Sequence, residues 1–423
     1  MRVLIFSNWF PPVQSGSSFY ASSLARALTA RGNDVVVVTL DWGSPYEPPD
    51  DAAYPIYTLP VRKVPESPLF FNLKLMAFSF TPGNMKRLRA LLREHRIEVL
   101  HHVNHIFDST LLTVRAARAV GIPIVGSITT PIQHDRPLRH NLMKFADRCT
   151  VGQFGVRRWD GVVSLDRTVH HYVGETYGAA VQARSAVIPF GVREETLASF
   201  NDTSPVRPGP PQILMVGHIH PLRNPTQLIR AMSQVIREFP EARLVLAGRV
   251  DLNEPVRVAR ALGMAPDQIE FCGELPHEKI IGLMKSSHVF VSWLTGPYKS
   301  LGTAPMEAML CQTPVINDLP EDLFGEGKLR NGENTVIVDS RSPESISSAI
   351  LRLLKDEPLR RRIGAAGRRF VLEEFDWSRL AGRMESFYQE VLARRGIVPE
   401  PARALDAEPA EAAKTLAAAS QRR

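Results

Sequence analysis

Arg2-Val3-Leu4-Ile5-Phe6-Ser7-Asn8-Trp9-Phe10-Pro11-Pro12-Val13-Gln14-Ser15-Gly16-Ser17-Ser18 opens the chain, and Val35-Val36-Val37-Val38-Thr39-Leu40 follows it after one helical pattern. The run over residues 2–6 has the continuous apolar character of a strand buried on both faces of a parallel sheet. Leu24 and Leu28 lie one helical turn apart, and Gly32 supplies a C-terminal stop. Strand, loop, helix and strand make a βαβ unit. Its handedness and packing imply a doubly wound parallel sheet.

Working outward, strands are expected at 99–101, 124–128, 161–164 and 186–188, with helical segments between them. Residues 198–211 are polar and rich in proline, as an interdomain linker is. The pattern then restarts. Ile213-Leu214-Met215-Val216 ends at Gly217, and Asn224 and Pro225 open a helix that carries Leu228, Ile229, Met232, Val235, Ile236 and Phe239 at helical spacing. Further strands are expected at 244–247, 269–271, 289–291, 314–316 and 335–338. The expected architecture is α/β, with two doubly wound, Rossmann-like domains over 1–197 and 212–377. A long helix over 378–397 follows, and a mobile tail over 398–423, rich in Ala, Glu, Pro and Arg, lacks a clear apolar face.

Composition narrows the function. With 423 residues, 44% hydrophobic and 22% charged, each half can bury a core of its own. The amino terminus is too short an apolar run for a signal peptide, and no stretch approaches the roughly 20 apolar residues that span a bilayer. Cys149, Cys272 and Cys311 are far apart and form no CxxC pattern, which argues against disulfides and zinc and fits a reducing cytoplasm. A net charge of +7 points to anionic partners. No basic–aromatic interleaving of an RNA-binding type is present, so nucleic acid is not expected. A phosphorylated small molecule and an anionic membrane remain.

In open α/β sheets ligands bind beyond the carboxyl ends of the strands, so two such edges facing each other make a cleft. The loops 7–18 and 217–224 would line its walls, each leading into a helix amino terminus, which suits phosphate. Gly16, beside Ser17, permits close backbone approach, although a plain turn uses glycine too. Gly217, His218 and Arg223 follow a buried strand, where a surface basic residue is ordinary but a diphosphate contact is also well placed, and arginine donates bidentately to phosphate oxygens. In the segment 295–316, Gly302 and Thr303 form a loop, Ala304 follows and Pro305 lies in the first helical turn. Glu307 falls one turn in, where its carboxylate can accept two hydrogen bonds from a ribose diol. A capped surface helix with an acid near its dipole accounts for the same spacing. The loops 248–255 and 272–277, with Gly248, Arg249 and Leu275, are placed to select the base.

These features in this order resemble the family-4 retaining glycosyltransferases of GT-B fold, over roughly residues 1–395. The likeness rests on the Phe-Pro-Pro…Gly loop at 10–16 and on Tyr177-Gly178…Val187-Ile188-Pro189-Phe190-Gly191-Val192. It rests also on Val216-Gly217-His218…Arg223-Asn224, on Gly302…Glu307-Ala308-Met309…Pro314-Val315-Ile316, and on Phe375-Asp376-Trp377 before a final helix that, in the family, crosses back to the first domain. The resemblance implies a nucleoside diphosphate sugar held mainly by the second domain and a leaving diphosphate stabilised by basic side chains and amides. It implies no cofactor and no essential metal, in keeping with the absence of an Asp-x-Asp motif. By match, Glu307 holds the ribose, Arg223 the diphosphate, and Gly16, Gly302 and Thr303 make close backbone contacts.

Three departures bear on activity. His218 stands where the family has arginine, and its charge depends on its surroundings. Lys299 stands where the family has its first glutamate, eight positions before Glu307, and the reversed charge either adds leaving-group stabilisation or marks an altered donor or lost activity. The family's histidine after the strand 124–125 is replaced by Thr129 or Thr130, leaving His134 as a candidate for contact with the sugar. The acceptor expected is a saccharide or a lipid-linked saccharide of envelope or polysaccharide synthesis. Residues 62–96, where Arg62, Lys63, Lys74, Lys86, Arg87, Arg89, Arg93 and Arg96 interleave with Phe70, Phe71, Leu73, Leu75, Met76, Phe78 and Phe80, offer a surface for anionic lipid or simply a solvated basic helix. Two other readings stay open at this level: a GT-B protein that binds nucleotide or partner without turnover, favoured by Lys299 and His218, and a sugar-nucleotide epimerase.

Overall fold

The computed structural model describes residues 1–13, 15–42, 52–63, 77–133, 136–192, 209–218, 223, 225–249, 254–296 and 298–397. His134, Asn224, the linker residues 198–208, the tail and most of the apolar residues of 62–96 lie outside the described residues.

The first sheet comprises β1 (Arg2–Ser7), β2 (Asp34–Asp41) and β3 (Ile56–Pro60), then, beyond a short antiparallel ribbon of β4 (Arg62–Lys63) and β5 (Ala77–Phe78), β6 (Val99–Val103), β7 (Ile124–Ile128), β8 (Gly161–Ser164) and β9 (Ser185–Val187). Its order is β3-β2-β1-β6-β7-β8-β9, parallel throughout. The second sheet comprises β10 (Gln212–Val216), β11 (Arg243–Ala247), β12 (Ile269–Gly273), β13 (Val289–Val291), β14 (Val315–Asn317) and β15 (Val336–Ile337). Its order is β12-β11-β10-β13-β14-β15, also parallel. Each sheet winds one way and then the other, so strand order reverses between β1 and β6 and between β10 and β13. Those two points are where a doubly wound sheet opens a crevice for a ligand.

The apolar runs form these strands because each is covered on both faces. Leu4 and Phe6 join one cluster and Val3 and Ile5 the other, as the period of two requires. In the second sheet Leu214 and Val216 face one cluster, Ile213 and Met215 the other. β3 escapes a reading of apolar runs because it is a half-buried edge strand ended by Pro60, the position where a sheet tolerates proline.

The final helix, Trp377–Arg394, belongs with the first sheet: Leu380, Met384, Phe387, Tyr388 and Val391 pack in the cluster that contains Val3 and Ile5. It begins one residue before the expected start at 378. Trp377 is already its first helical residue, capped by Asp376, and packs on Tyr20 and Phe190 at ring separations of 5.6 and 6.1 Å. In the opposite sense, Tyr298 of the second domain is buried in a cluster of the first. Its hydroxyl hydrogen-bonds with Lys144 and Glu175 at 2.9 and 3.0 Å. No helix among the described residues is long and apolar enough to cross a membrane.

Candidate functional site

Successive strand ends of the second sheet build one wall of the site. Gly217, directly after β10, has φ of +125°, and Gly248, directly after β11, has φ of +139°. A Cβ on Gly248 would lie 2.2 Å from the Gly217 carbonyl oxygen, so the two backbones touch because neither carries a side chain. The Arg223 guanidinium packs against Gly217, within 3.0 Å of where a Cβ would sit, and its Nη1 donates to Ser292 Oγ at 3.4 Å across the crevice. Ser292 directly follows β13. Arg223 therefore spans the point where strand order reverses.

Burial draws the pKa of Arg223 below the ordinary arginine value, and among the described residues it forms no ion pair. Its Nε is buried without a hydrogen-bond partner. A desolvated cation without a counter-ion is costly unless an anion completes it. Beside it, Arg249 Nη2 and His218 Nε2 approach to 3.2 Å, so a guanidinium from β11 reaches the place where the family has arginine.

The helix Thr303–Leu310 supplies the second element. Its cap residue, Gly302, has φ of +68° and makes no side-chain cap, and there is no acid in the first turn. With Pro305 in the third position, the amides of Thr303 and Ala304 are the donors left at the positive end of the helix dipole. Thr303 is the first helical residue rather than part of the loop. Glu307, one turn in, is buried, and His277 Nε2 lies 3.1 Å from its Oε1. His277 opens the helix after β12.

Lys299 does not stand free. Its Nζ is 2.6 Å from Asp318 Oδ1, and Ser340 Oγ donates to the other oxygen of that carboxylate at 2.6 Å. The lysine thus arrives with a carboxylate from the end of β14. Leu275 is half-buried on the apolar cluster that includes Met306 and Leu310.

The two domains close on a cavity of about 260 Å³, whose lining includes Gly16, Ser17, Thr129 and Thr130 from the first domain and Gly302 and Thr303 from the second. Four of the residues expected from sequence, Gly16, Ser17, Gly302 and Thr303, thus meet at one place. On the first-domain side Ser15 Oγ accepts from Ser18 N at 3.1 Å, which caps that helix, so its amides are less available to an anion than those after Gly302. Asn104 Nδ2 donates to Ser17 Oγ at 3.2 Å. Trp9, beyond β1, stacks on Trp42, beyond β2, at 5.9 Å and meets Phe107 edge-on at 4.9 Å. Among the described residues no cluster of ligating side chains is placed to hold a metal ion.

Ser292, His277, Asp318 and Asn104 were not expected from the sequence. Each lies just beyond a strand end or opens the next helix, so the rule that ligands gather at carboxyl ends was the available signal.

The family model for Glycosyltransferase Family 4 matches residues 14–196, and that for Glycosyl transferases group 1 matches residues 200–370. The chain is a family-4 glycosyltransferase. This glycosyltransferase is 26% identical to the phosphatidyl-myo-inositol mannosyltransferase of Mycobacterium leprae over 397 residues, 92% of its own chain and 97% of the relative. It is 25% identical to a glycogen synthase of Mycobacterium tuberculosis, over 94% of its own chain and 96% of that protein. Among solved structures it resembles the sucrose-phosphate synthase of Thermosynechococcus elongatus, with a TM-score of 0.66 at 19% identity over 93% of this chain and 99% of that one. It also resembles the Anabaena protein HepE, solved with UDP and glucose, with a TM-score of 0.63 at 15% identity over 92% and 100% of the two chains. The fold is GT-B, and the chain is an enzyme that transfers sugar.

Proposed function

We propose that this glycosyltransferase moves a sugar, with retention of anomeric configuration, from a UDP- or GDP-sugar to a saccharide or lipid-linked acceptor of envelope or polysaccharide synthesis. The observation that carries the reading is Arg223: a partly desolvated guanidinium without an ion-pair partner among the described residues, stationed at the strand-order reversal of the domain that also presents an uncapped helix amino terminus at Thr303. A diphosphate supplies the counter-ion that Arg223 lacks and the acceptors that the Thr303 and Ala304 amides lack. Glu307 accepts hydrogen bonds from the ribose hydroxyls.

The chemistry follows from where charge develops. As the bond from the anomeric carbon to the diphosphate breaks, negative charge grows on the leaving oxygen. Arg223, with His218 and Arg249 nearby, stabilises that charge. No metal is required by this arrangement. The acceptor hydroxyl approaches from the wall formed by Ser17, Thr129 and Thr130, on the face from which the diphosphate departs, and its proton leaves with the diphosphate. The Trp9, Trp42 and Phe107 group offers apolar faces to an acceptor sugar. HepE, of the same fold, was solved with UDP and glucose, and the mycobacterial relative carries a phosphatidyl-myo-inositol acceptor in its name.

A thermal-shift series with UDP-, GDP-, ADP- and dTDP-sugars tests this reading, because a ligand that binds only the folded state raises the melting temperature. Stabilisation by a UDP- or GDP-sugar, with release of the nucleoside diphosphate once an acceptor is added, is the expected result. Melting that no sugar nucleotide shifts would sink it.

A further inference from the structure

Residues 298–302 touch both domains before they turn into the helix Thr303–Leu310. Tyr298 is 6% exposed and packs in the first domain's core, with its ring edge-on to Tyr172 at 5.0 Å. Its hydroxyl donates to Glu175 Oε2 at 3.0 Å and accepts from Lys144 Nζ at 2.9 Å, so the first domain fills both of its hydrogen-bonding roles. Lys299 is held from two sides. Its Nζ pairs with Asp318 of its own domain, while its carbonyl oxygen accepts from Thr168 Oγ1 of the first domain at 2.8 Å. That hydroxyl is set in turn by the buried Asp166, whose Oδ1 lies 2.7 Å from it and accepts from Val169 N at 2.8 Å. Leu301 is then buried in the second domain's core.

Two helix starts meet here, and they are finished differently. The helix Arg167–Tyr177 is capped by Asp166, and the amide of Arg167, an orphan donor of its first turn, reaches Leu323 O of the second domain at 2.8 Å. The helix Thr303–Leu310 has no capping side chain. The direction of its first amides is therefore set by the chain that arrives through Leu301 and Gly302, and that chain is anchored at 298 and 299 on the other domain. We infer that Tyr298, Thr168 and Asp166 are positioning residues for sugar transfer: through them the first domain holds residues 298–302 so that the Thr303 and Ala304 amides face the diphosphate of the donor.

The same junction holds a contact that lacks this property. Arg167 Nη1 and Asp322 Oδ2 lie 3.4 Å apart, both about half exposed, and join the two domains without touching residues 298–302. A pair of that kind contributes little, because water screens it. The Tyr298 and Lys299 contacts are buried or half-buried and lie within five residues of the amides they orient. This role rests on the diphosphate proposed at Thr303 and Ala304. The hold on the segment is read without nucleotide, so the failure of one is distinguishable from the failure of the other.

Hydrogen exchange of the full chain without ligand reads the segment, and calorimetry with UDP and with GDP reads the site. Y298F removes the hydroxyl and keeps the ring, and T168V removes the donor to the Lys299 carbonyl. Each is expected to speed exchange of the amides at 301–304 by about threefold to tenfold, the worth of one hydrogen bond, and to weaken nucleotide binding by a similar factor while the cooperative melt is kept. D322N, which breaks the exposed pair, should change neither. If T168V loses its cooperative melt, Y298F decides alone. Exchange at 301–304 that matches the wild type in the folded variants overturns the inference. So does an equal change in D322N, which marks a general loosening of the junction, and so does unaltered nucleotide binding beside faster exchange. A wild type that takes up neither UDP nor GDP sinks the proposed function, while faster exchange in the variants still upholds the first domain's hold on the segment.

Discussion

At the scale of the residue, Arg223 and Glu307 make opposite bargains with burial. Arg223 is partly desolvated with the Ser292 hydroxyl as its partner, whereas Glu307 shares its carboxylate with His277. Removing Arg223 therefore removes a cost from the empty enzyme and a contact from the loaded one. The R223A variant is expected to melt no lower than the wild type without ligand, yet to lose about 1.5–3 kcal/mol of sugar-nucleotide affinity, the worth of a hydrogen bond to a charged group. Calorimetry with the donor and a melt without it read the two halves separately. Unchanged affinity would remove Arg223 from the site. Arg223 was only half legible in the sequence, because an arginine just past a buried strand is as ordinary on a surface as it is apt for a diphosphate. The Lys299–Asp318 pair was not: nothing in the spacing says that residue 318, on another strand end, comes within 2.6 Å of residue 299.

Among elements, what matters is how closely the strand ends approach. Gly248 and Gly302 both have positive φ, but they fail differently when a methyl group is added. At Gly302 the nearest atom to a new Cβ is Pro305 Cδ at 4.0 Å, so G302A carries backbone strain alone, about 1–2 kcal/mol. At Gly248 the new Cβ would overlap the Gly217 carbonyl, and the ends of β10 and β11 must part. G248A is thus expected to destabilise the fold by more than G302A and also to displace Arg223, which rests on Gly217. Urea unfolding of the two variants beside their donor affinities checks this, and equal effects would mean that the touching backbones have room to separate. The strands themselves were legible, since continuous apolar runs over four to six residues have one comfortable place in a doubly wound sheet. The edge strand β3 and the wide turn after the helix Pro137–Asp147 were not, because local pattern yields there to tertiary packing. The exposed stripe of the helix Pro137–Asp147 was missed for a related reason: Leu138, Leu142 and Phe145 have the spacing of core residues, and only the fold reveals that they face outward.

For the whole molecule, the domains are tied by exchange: the final helix crosses into the first domain while Tyr298 of the second is buried there. The crossing helix is fastened through a fully buried imidazole. His101 hydrogen-bonds with Tyr388 of that helix and with Ser127 of β7, each at 2.7 Å. Its neighbour His102 sits between Thr110 and Thr113, at 3.1 Å from each. Burial pushes the pKa of both down to about 3; His102 adds to the shift of His101, and on His102 a backbone hydrogen bond with Asn104 opposes it while His105 adds to it. The unfolded chain takes up these two protons near the ordinary histidine value of about 6.5, while the folded chain refuses them until about pH 3. Below about pH 6.5 the unfolded state therefore binds more protons, and stability falls as pH falls. At about 1.4 kcal/mol per pH unit for each imidazole, the loss between about pH 7 and about pH 5 is on the order of 4 kcal/mol. Carboxylates held below their usual range, such as Glu175 beside Lys144, add to it only at lower pH. Urea midpoints taken across that interval should drop steadily, and H102Q, with one fewer proton to refuse, should show a shallower slope, while His105, also buried and held below its usual value, keeps its own share. A midpoint that stays level would mean that neither imidazole is shielded, and that the joint between the final helix and the first sheet admits water.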